Sequence, residues 1–311
     1  GNIVINGNYD ANRPILLTGS GTTIDGFGTV TNMGGVTISN GNKTVQPSTN
    51  LTISNGNFRI NVGLTVSNYG TITLTRDLVG LNAASTWINE NNSTFNAGGA
   101  LLITGVLIAS ASGNKVNYNR AGAQDVKVPS GSTYYNLNIE GNNIKTLLGS
   151  IIVSGNLTIT STLDADAGFN YNLTIGGNWN NSGTFLEQLG TVTFNGSGTQ
   201  NITNTLGETF NNLTVNKSGG LLILNQNHNV TNILNMTAGN IDASSGTLTL
   251  GNACVNEGTL VYTTGTITGK FKRWINTTGS AFLFPVGTSA NYRPASITLN
   301  VTGFSCGALT A

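Results

Sequence analysis

The segment GTVTFNGSGTQ at 190–200 restates NKVNYNRAGAQ at 114–124 with an offset of 76 residues. At that offset Val116 falls on Val192, Tyr118 on Phe194, Gln124 on Gln200 and Val126 on Ile202. STYYNLNI at 132–139 then overlays ETFNNLTV at 208–215 without a gap. Farther on, small indels enter, yet LTIT at Leu157 still matches LNMT at Leu234, and LDA at Leu163 matches IDA at Ile241. The likeness thus joins about 114–178 to 190–252. What survives in it is apolar alternation and turn residues, which is what a chain keeps when it repeats a cross-section by stacking.

Shorter echoes fill the amino-terminal part: VTISNGN at Val36, LTISNGN at Leu51 and LTVSNYG at Leu64, at steps of 15 and 13 residues. Each is an apolar, Thr, apolar segment closed by Ser, Asn or Gly. Alternate residues of a strand face opposite sides, so Val36 and Ile38 point one way and Thr37 the other. A propeller would need strong blade signatures of about 40 to 50 residues, and a sandwich needs no self-similarity. The expected fold is therefore all-β: a parallel β-solenoid, or β-helix, with Gly and Asn turning its corners and Asn side chains stacking there. Pro14, Pro47 and Pro129 fall where corners or edges are expected.

Composition agrees. Charged residues make up 8% of the chain, net charge is +1 and 42 residues are glycine. Stacked coils would set like charges above one another, so low charge suits them. The balance of 13 basic and 12 acidic residues gives no basic face for nucleic acid, and no apolar run approaches the roughly 20 residues that span a bilayer as a helix. The rod is expected over 1–268. From Gly269 the texture turns aromatic and basic, and 269–311 reads as a small C-terminal β-rich module, capping or sandwich-like. Lys270, Lys272 and Arg273 read as a solvated edge strand beside it rather than an anion or polysaccharide patch.

The segments GTVTFNGSGTQ, TFNNLTV, SGTLTLGN at 245–252 and FPVGTSANYRPASITL at 284–299 resemble the secreted, repeat-bearing β-helical surface proteins of Bacteroidetes-type bacteria. That resemblance implies type IX secretion and an extracellular or cell-surface location. Beginning at Gly1 without an initiator methionine, the chain reads as a processed product or an excerpt.

Catalytic constellations are sparse, and no enzyme and no cofactor are expected. Asp164 and Asp166 are the closely spaced acidic pair a glycoside hydrolase would need, but the matching stretch near Asp242 keeps one acid and no cationic motif accompanies the pair. The run DADAG at 164–168 resembles a calcium loop without its closing Glu, and reads as a turn. His228, the sole histidine, reads as an exposed loop residue, and Cys254 and Cys306 as two small buried residues rather than a pair. Trp87, Trp179, Trp274, Tyr134 and Tyr135 would suit a sugar platform if exposed, although the replacement of Tyr134 by Phe210 in the repeat points to a core role there.

Two functions compete on these grounds. The first is an extracellular structural or adhesive solenoid that assembles head to tail into a surface filament, with Ile3, Val4 and Ile5 at one edge and Ile297, Leu299 and Val301 at the other. Its partners would be further copies, neighbouring domains of a longer chain, or surface glycans. The alternative is a carbohydrate-binding or polysaccharide-cleaving β-helix. An ice-binding surface would need a regular Thr array, for which the coil lengths look too uneven.

Overall fold

The computed structural model describes every residue except Gly1, Ala11 and Ser289. The chain forms two compact units, Gly1–Asp164 and Ala165–Ala311, each a parallel β-solenoid. Among the described residues the one helical element is a 3-10 turn at Ser130–Ser132, next to Pro129.

In the first unit each coil supplies short strands to three parallel ladders. One runs through Thr22–Asp25, Lys43–Val45, Thr65–Asn68, Thr86–Asn89 and Val106–Ile108. A second runs through Phe27–Thr31, Asn50–Ser54, Thr71–Leu74, Thr94–Ala97, Lys115–Tyr118 and Asn136–Ile139. A third runs through Ile15–Leu17, Val36–Ile38, Phe58–Ile60 and Leu78–Gly80. Thr65 faces Thr86 and Thr94 faces Lys115, so these coils are 21 residues long. The echoes at Val36, Leu51 and Leu64 therefore mark faces and not coils: the first belongs to the third ladder, the second to the second, and the third opens a strand of the first.

Alternation builds the core. Ile72, Phe95, Val116, Leu137 and Leu157 lie in register on successive coils, all buried, while their Thr and Asn neighbours face out. Fully burying one such side chain contributes on the order of 2 kcal/mol, and each inward row repeats that from coil to coil. Polar corners stack too. Asn68 Nδ2 donates to Asn89 Oδ1 at 3.1 Å, and Asn89 Nδ2 donates to the Lys115 carbonyl in the next coil. Gly35 turns a corner at φ +68° so close to the next coil that a Cβ there would lie 2.0 Å from the Asn57 carbonyl oxygen.

In the second unit Leu173–Ile175, Thr191–Phe194, 212–215 of the long strand Glu208–Leu224, 233–236 of His228–Leu250, and Thr259–Tyr262 form one parallel ladder. Trp179 is fully buried among Phe185, Phe194 and Phe210, with ring centroids 4.9 to 6.3 Å away. The core role that the repeat indicates for Tyr134 and Phe210 is borne out, and Tyr118 and its counterpart Phe194 are buried as well.

Near the carboxyl end the pairing changes sense. Ile267–Ile275 still takes a parallel partner in Val286–Gly287, but pairs antiparallel with Gly307–Thr310, and Ala281–Phe284 pairs antiparallel with Ala295–Thr298. Cys254 and Cys306 are joined by a disulfide, Cα to Cα 5.5 Å, contrary to the expectation of two separate thiols. The return of the chain along Gly307–Thr310 brings together residues 52 apart in sequence, a closure no local pattern announces. The basic cluster is also corrected in part. Arg273 is buried, donating Nη1 to the Leu283 carbonyl at 2.9 Å with its guanidinium 5.2 Å from the Phe282 ring. Lys270 is exposed, and Lys272 lies over Trp274 at 4.8 Å.

Candidate functional site

In the coil at Ile3–Leu17 of the first unit the inward side chains are part-exposed. Ile3 and Val4 pair forward with Ile24 and Asp25, and the Ile5 N–H donates to the Asp25 carbonyl at 3.0 Å. Ile15 and Leu17 pair with Val36 and Ile38. In the second coil Ile24, Val36 and Ile38 are buried, whereas Ile3, Ile5, Ile15 and Leu17 remain part-exposed and Val4 is exposed. Ile3, Val4, Ile5 and Ile15 line a hollow of about 420 Å³ together with Tyr9. The outer edge of this coil carries the unpaired side of its strands, a template for another strand.

The carboxyl-terminal residues are placed differently. Ile297 sits opposite Phe282 in the antiparallel pair, and the Leu299 carbonyl accepts from the Gly279 N–H at 2.9 Å. Val301 is exposed beyond that strand. These three belong to an antiparallel module and do not extend a parallel ladder.

The ionisable groups that sequence reasoning overlooked are inside. Lys145 Nζ donates to the carbonyls of Arg120, Gly122 and Asn142 at 2.7 to 3.1 Å. Lys217 Nζ donates to the Gly196 and Gly198 carbonyls and to Gln200 Oε1 at 2.7 to 2.9 Å. Arg120 and Gly122 are the repeat counterparts of Gly196 and Gly198, so the two lysines cap one corner in both copies although they do not themselves align. Lys43 does the same at an earlier corner, with the Gly19, Asn40 and Gly41 carbonyls at 2.5 to 2.8 Å. Burial pulls all three amines below their ordinary range, Lys217 to about 8. Only their position on the inward parity of their strands distinguishes them in sequence.

His228 is likewise buried, not an exposed loop residue. Its Nδ1 accepts from the Glu208 N–H at 2.9 Å, and burial pulls it down to about 4. Glu208 Oε2 accepts from Trp179 Nε1, Asn181 Nδ2 and Asn204 Nδ2 at 2.7 to 3.3 Å, while burial pushes its carboxyl up. Glu208 and His228 meet through a backbone N–H and not through their acid and base groups, both are buried, and none of the larger surface hollows is lined by them. The arrangement ties three strands together.

The remaining candidates divide between core and surface. Trp87, Trp179 and Tyr134 are fully buried and form no platform, whereas Trp274 and Tyr135 are part-exposed. Asp164 closes the last strand of the first unit. Asp166 sits in a left-handed turn with Oδ1 accepting from the Gly168 N–H at 2.8 Å, as the turn reading of DADAG expects. Among the described residues no group of three or more His, Cys, Asp or Glu side chains is placed to hold a metal ion, and no helix is long and apolar enough to cross a membrane. Compared with known proteins, the chain matches no family model, no curated sequence and no solved structure.

Proposed function

We propose that the protein is an extracellular structural or adhesive β-solenoid that associates end-on with further copies of itself. The observation that carries this reading is the coil at Ile3–Leu17, whose part-exposed inward isoleucines lie on strands that pair in parallel with the next coil and present a surface of the same kind for a further strand. Strand addition there would give a second chain both backbone hydrogen bonds and apolar burial. A contact between unlike surfaces propagates when its rotation does not close. The Cys254–Cys306 disulfide supports a location outside the reducing cytosol, and export of the kind the surface-protein resemblance implies would place it there. The role is non-catalytic, in keeping with the enclosed setting of Glu208 and His228.

Negative-stain imaging and sedimentation of the purified chain over a wide concentration range test this. The expected result is concentration-dependent fibres or end-joined particles, abolished by Ile3→Asp combined with Ile5→Asp. Particles that stay monomeric throughout would overturn self-assembly.

One observation favours carbohydrate binding as a second reading. Phe169 is 71% exposed and stacked on Tyr171 at 5.5 Å with rings 7° from parallel. Between them in sequence Asn170 lines a surface hollow of about 310 Å³ shared with Glu187 and Leu189. Aromatic faces beside polar side chains suit a sugar ring. A glycan array on the wild type and on Phe169→Ala separates this reading from the first.

A further inference from the structure

The third ladder of the first unit is interrupted, and the internal repeat shows how. Gln124 Nε2 donates to the Ala97 and Gly99 carbonyls, 27 and 25 residues back, both at 2.7 Å. Its counterpart Gln200 makes the same pair of bonds to Ile175 and Gly177, 25 and 23 residues back. The coil is therefore two residues longer in the first copy. Setting Gly99 on Gly177 places Leu101 on Trp179. In the second copy the ladder closes, with Trp179 facing Ile202. In the first, Leu101 and Val126 do not pair: Leu101 bridges back to Leu78, and Gln124–Val126 pairs forward with Ile144–Leu147.

Between the two lies a groove of about 300 Å³, with Ile103 87% exposed at its rim. Its walls are strand edges. The Leu148 N–H donates to the Val126 carbonyl, so alternation turns the N–H and C=O of Asp125 toward the groove. On the facing side Leu78 binds the backbone of Ala100 and Leu102, which turns that of Leu101 toward the groove. Among the described residues, neither Leu101 nor Asp125 has a backbone partner on that side. Arg120 and Lys127 also line the groove, with Asp125 the one acid there, and exposed Leu148 adds an apolar margin.

The geometry points to a docking site for an extended peptide segment that alternates acidic and apolar residues. Backbone pairing to Asp125 and Leu101 would hold it as an added strand, Arg120 and Lys127 would receive its carboxylates, and Ile103 and Leu148 its apolar side chains. This site is independent of the end-on association proposed above.

Fluorescence anisotropy of a labelled (Glu-Val)₄ peptide with the whole chain tests it, alongside three probes: (Lys-Val)₄, a (Glu-Val)₄ with alternate backbone amides methylated, and an oligogalacturonate. Saturable binding of the first peptide is expected, with tenfold or greater loss on amide methylation and on Arg120→Glu, alone or with Lys127→Glu. In ¹⁵N-labelled protein the amide signals of Leu101 and Asp125 would shift. Equal binding of the methylated peptide, indifference to charge, displacement by the oligogalacturonate at lower concentration, or no saturable binding at millimolar peptide would each overturn the proposal. Circular dichroism on the Arg120→Glu chain confirms that any loss is not unfolding.

Discussion

The Glu208 N–H donates to His228 Nδ1 at 2.9 Å inside the second unit, joining adjacent coils through a side chain where a ladder bond would otherwise run. Acceptance through Nδ1 requires that nitrogen to carry no proton. The ring is neutral when buried, its pKa falling from 6.5 to about 4. Between those values the unfolded chain binds the proton and the folded chain does not. The stabilisation from His228 is therefore complete above pH 6.5 and is lost as pH falls toward 4, amounting to as much as ~3 kcal/mol. Glu208 acts in the opposite sense: its carboxyl is raised, so its contribution declines as pH rises above 4.5. Imidazole NMR shifts should report a neutral ring at pH 5. In His228→Asn, where Oδ1 takes the acceptor role, thermal melts should lose the acid-side component.

Replacing Lys217 by Met should leave the Gly196 and Gly198 carbonyls and Gln200 Oε1 without the donor they share. A loss of about 2 kcal/mol is expected, since unsatisfied buried acceptors cost roughly 1–3 kcal/mol while the apolar stem is retained. Denaturant unfolding measures it. A variant as stable as wild type would show that the corner relaxes around the vacancy.

Reducing the Cys254–Cys306 disulfide reopens a loop of 52 residues. The chain-entropy relation assigns such a closure about 4 kcal/mol. Hydrogen exchange should show faster exchange confined to Gly307–Thr310 and its partner Ile267–Ile275, with the first unit unchanged.

Gly35→Ala should be among the costly single-methyl additions in the first unit, because the new Cβ meets a backbone oxygen that cannot swing away and the φ of +68° disfavours any side chain. A loss of about 2 kcal/mol or more is expected from strain of this kind. The comparison is Gly63→Ala, also at positive φ but with open space around its Cβ position, which should cost about 1 kcal/mol.

Much of the architecture was legible because a solenoid writes its cross-section into the chain repeatedly. The alternation at Val36, Leu51 and Leu64 gave strands, and the match of Tyr134 with Phe210 gave a core position. What remained hidden depended on facts with no local signature. Lys43, Lys145 and Lys217 carry a surface residue's identity at an inward parity, and only the carbonyls of neighbouring corners make that tolerable. His228 lies in NQNHN, a loop-like string, yet begins a long strand. Cys254 and Cys306 meet through an antiparallel return that the preceding parallel coils do not foreshadow. The groove at Asp125 arises from two extra residues in one coil, visible in sequence only once Gln124 and Gln200 are known to grip matching carbonyls.

The inward lysines also bear on how the protein meets a protease. The chain has 13 lysines and arginines, and Lys43, Lys145, Lys217 and Arg273 are all buried, so a trypsin-like enzyme finds its recognition side chains withdrawn at four of its sites. Cleavage there waits on local opening of a coil, whose frequency follows the stability of that region. Cuts after Lys43, Lys145, Lys217 and Arg273 in a limited tryptic map would therefore report which of their coils open first.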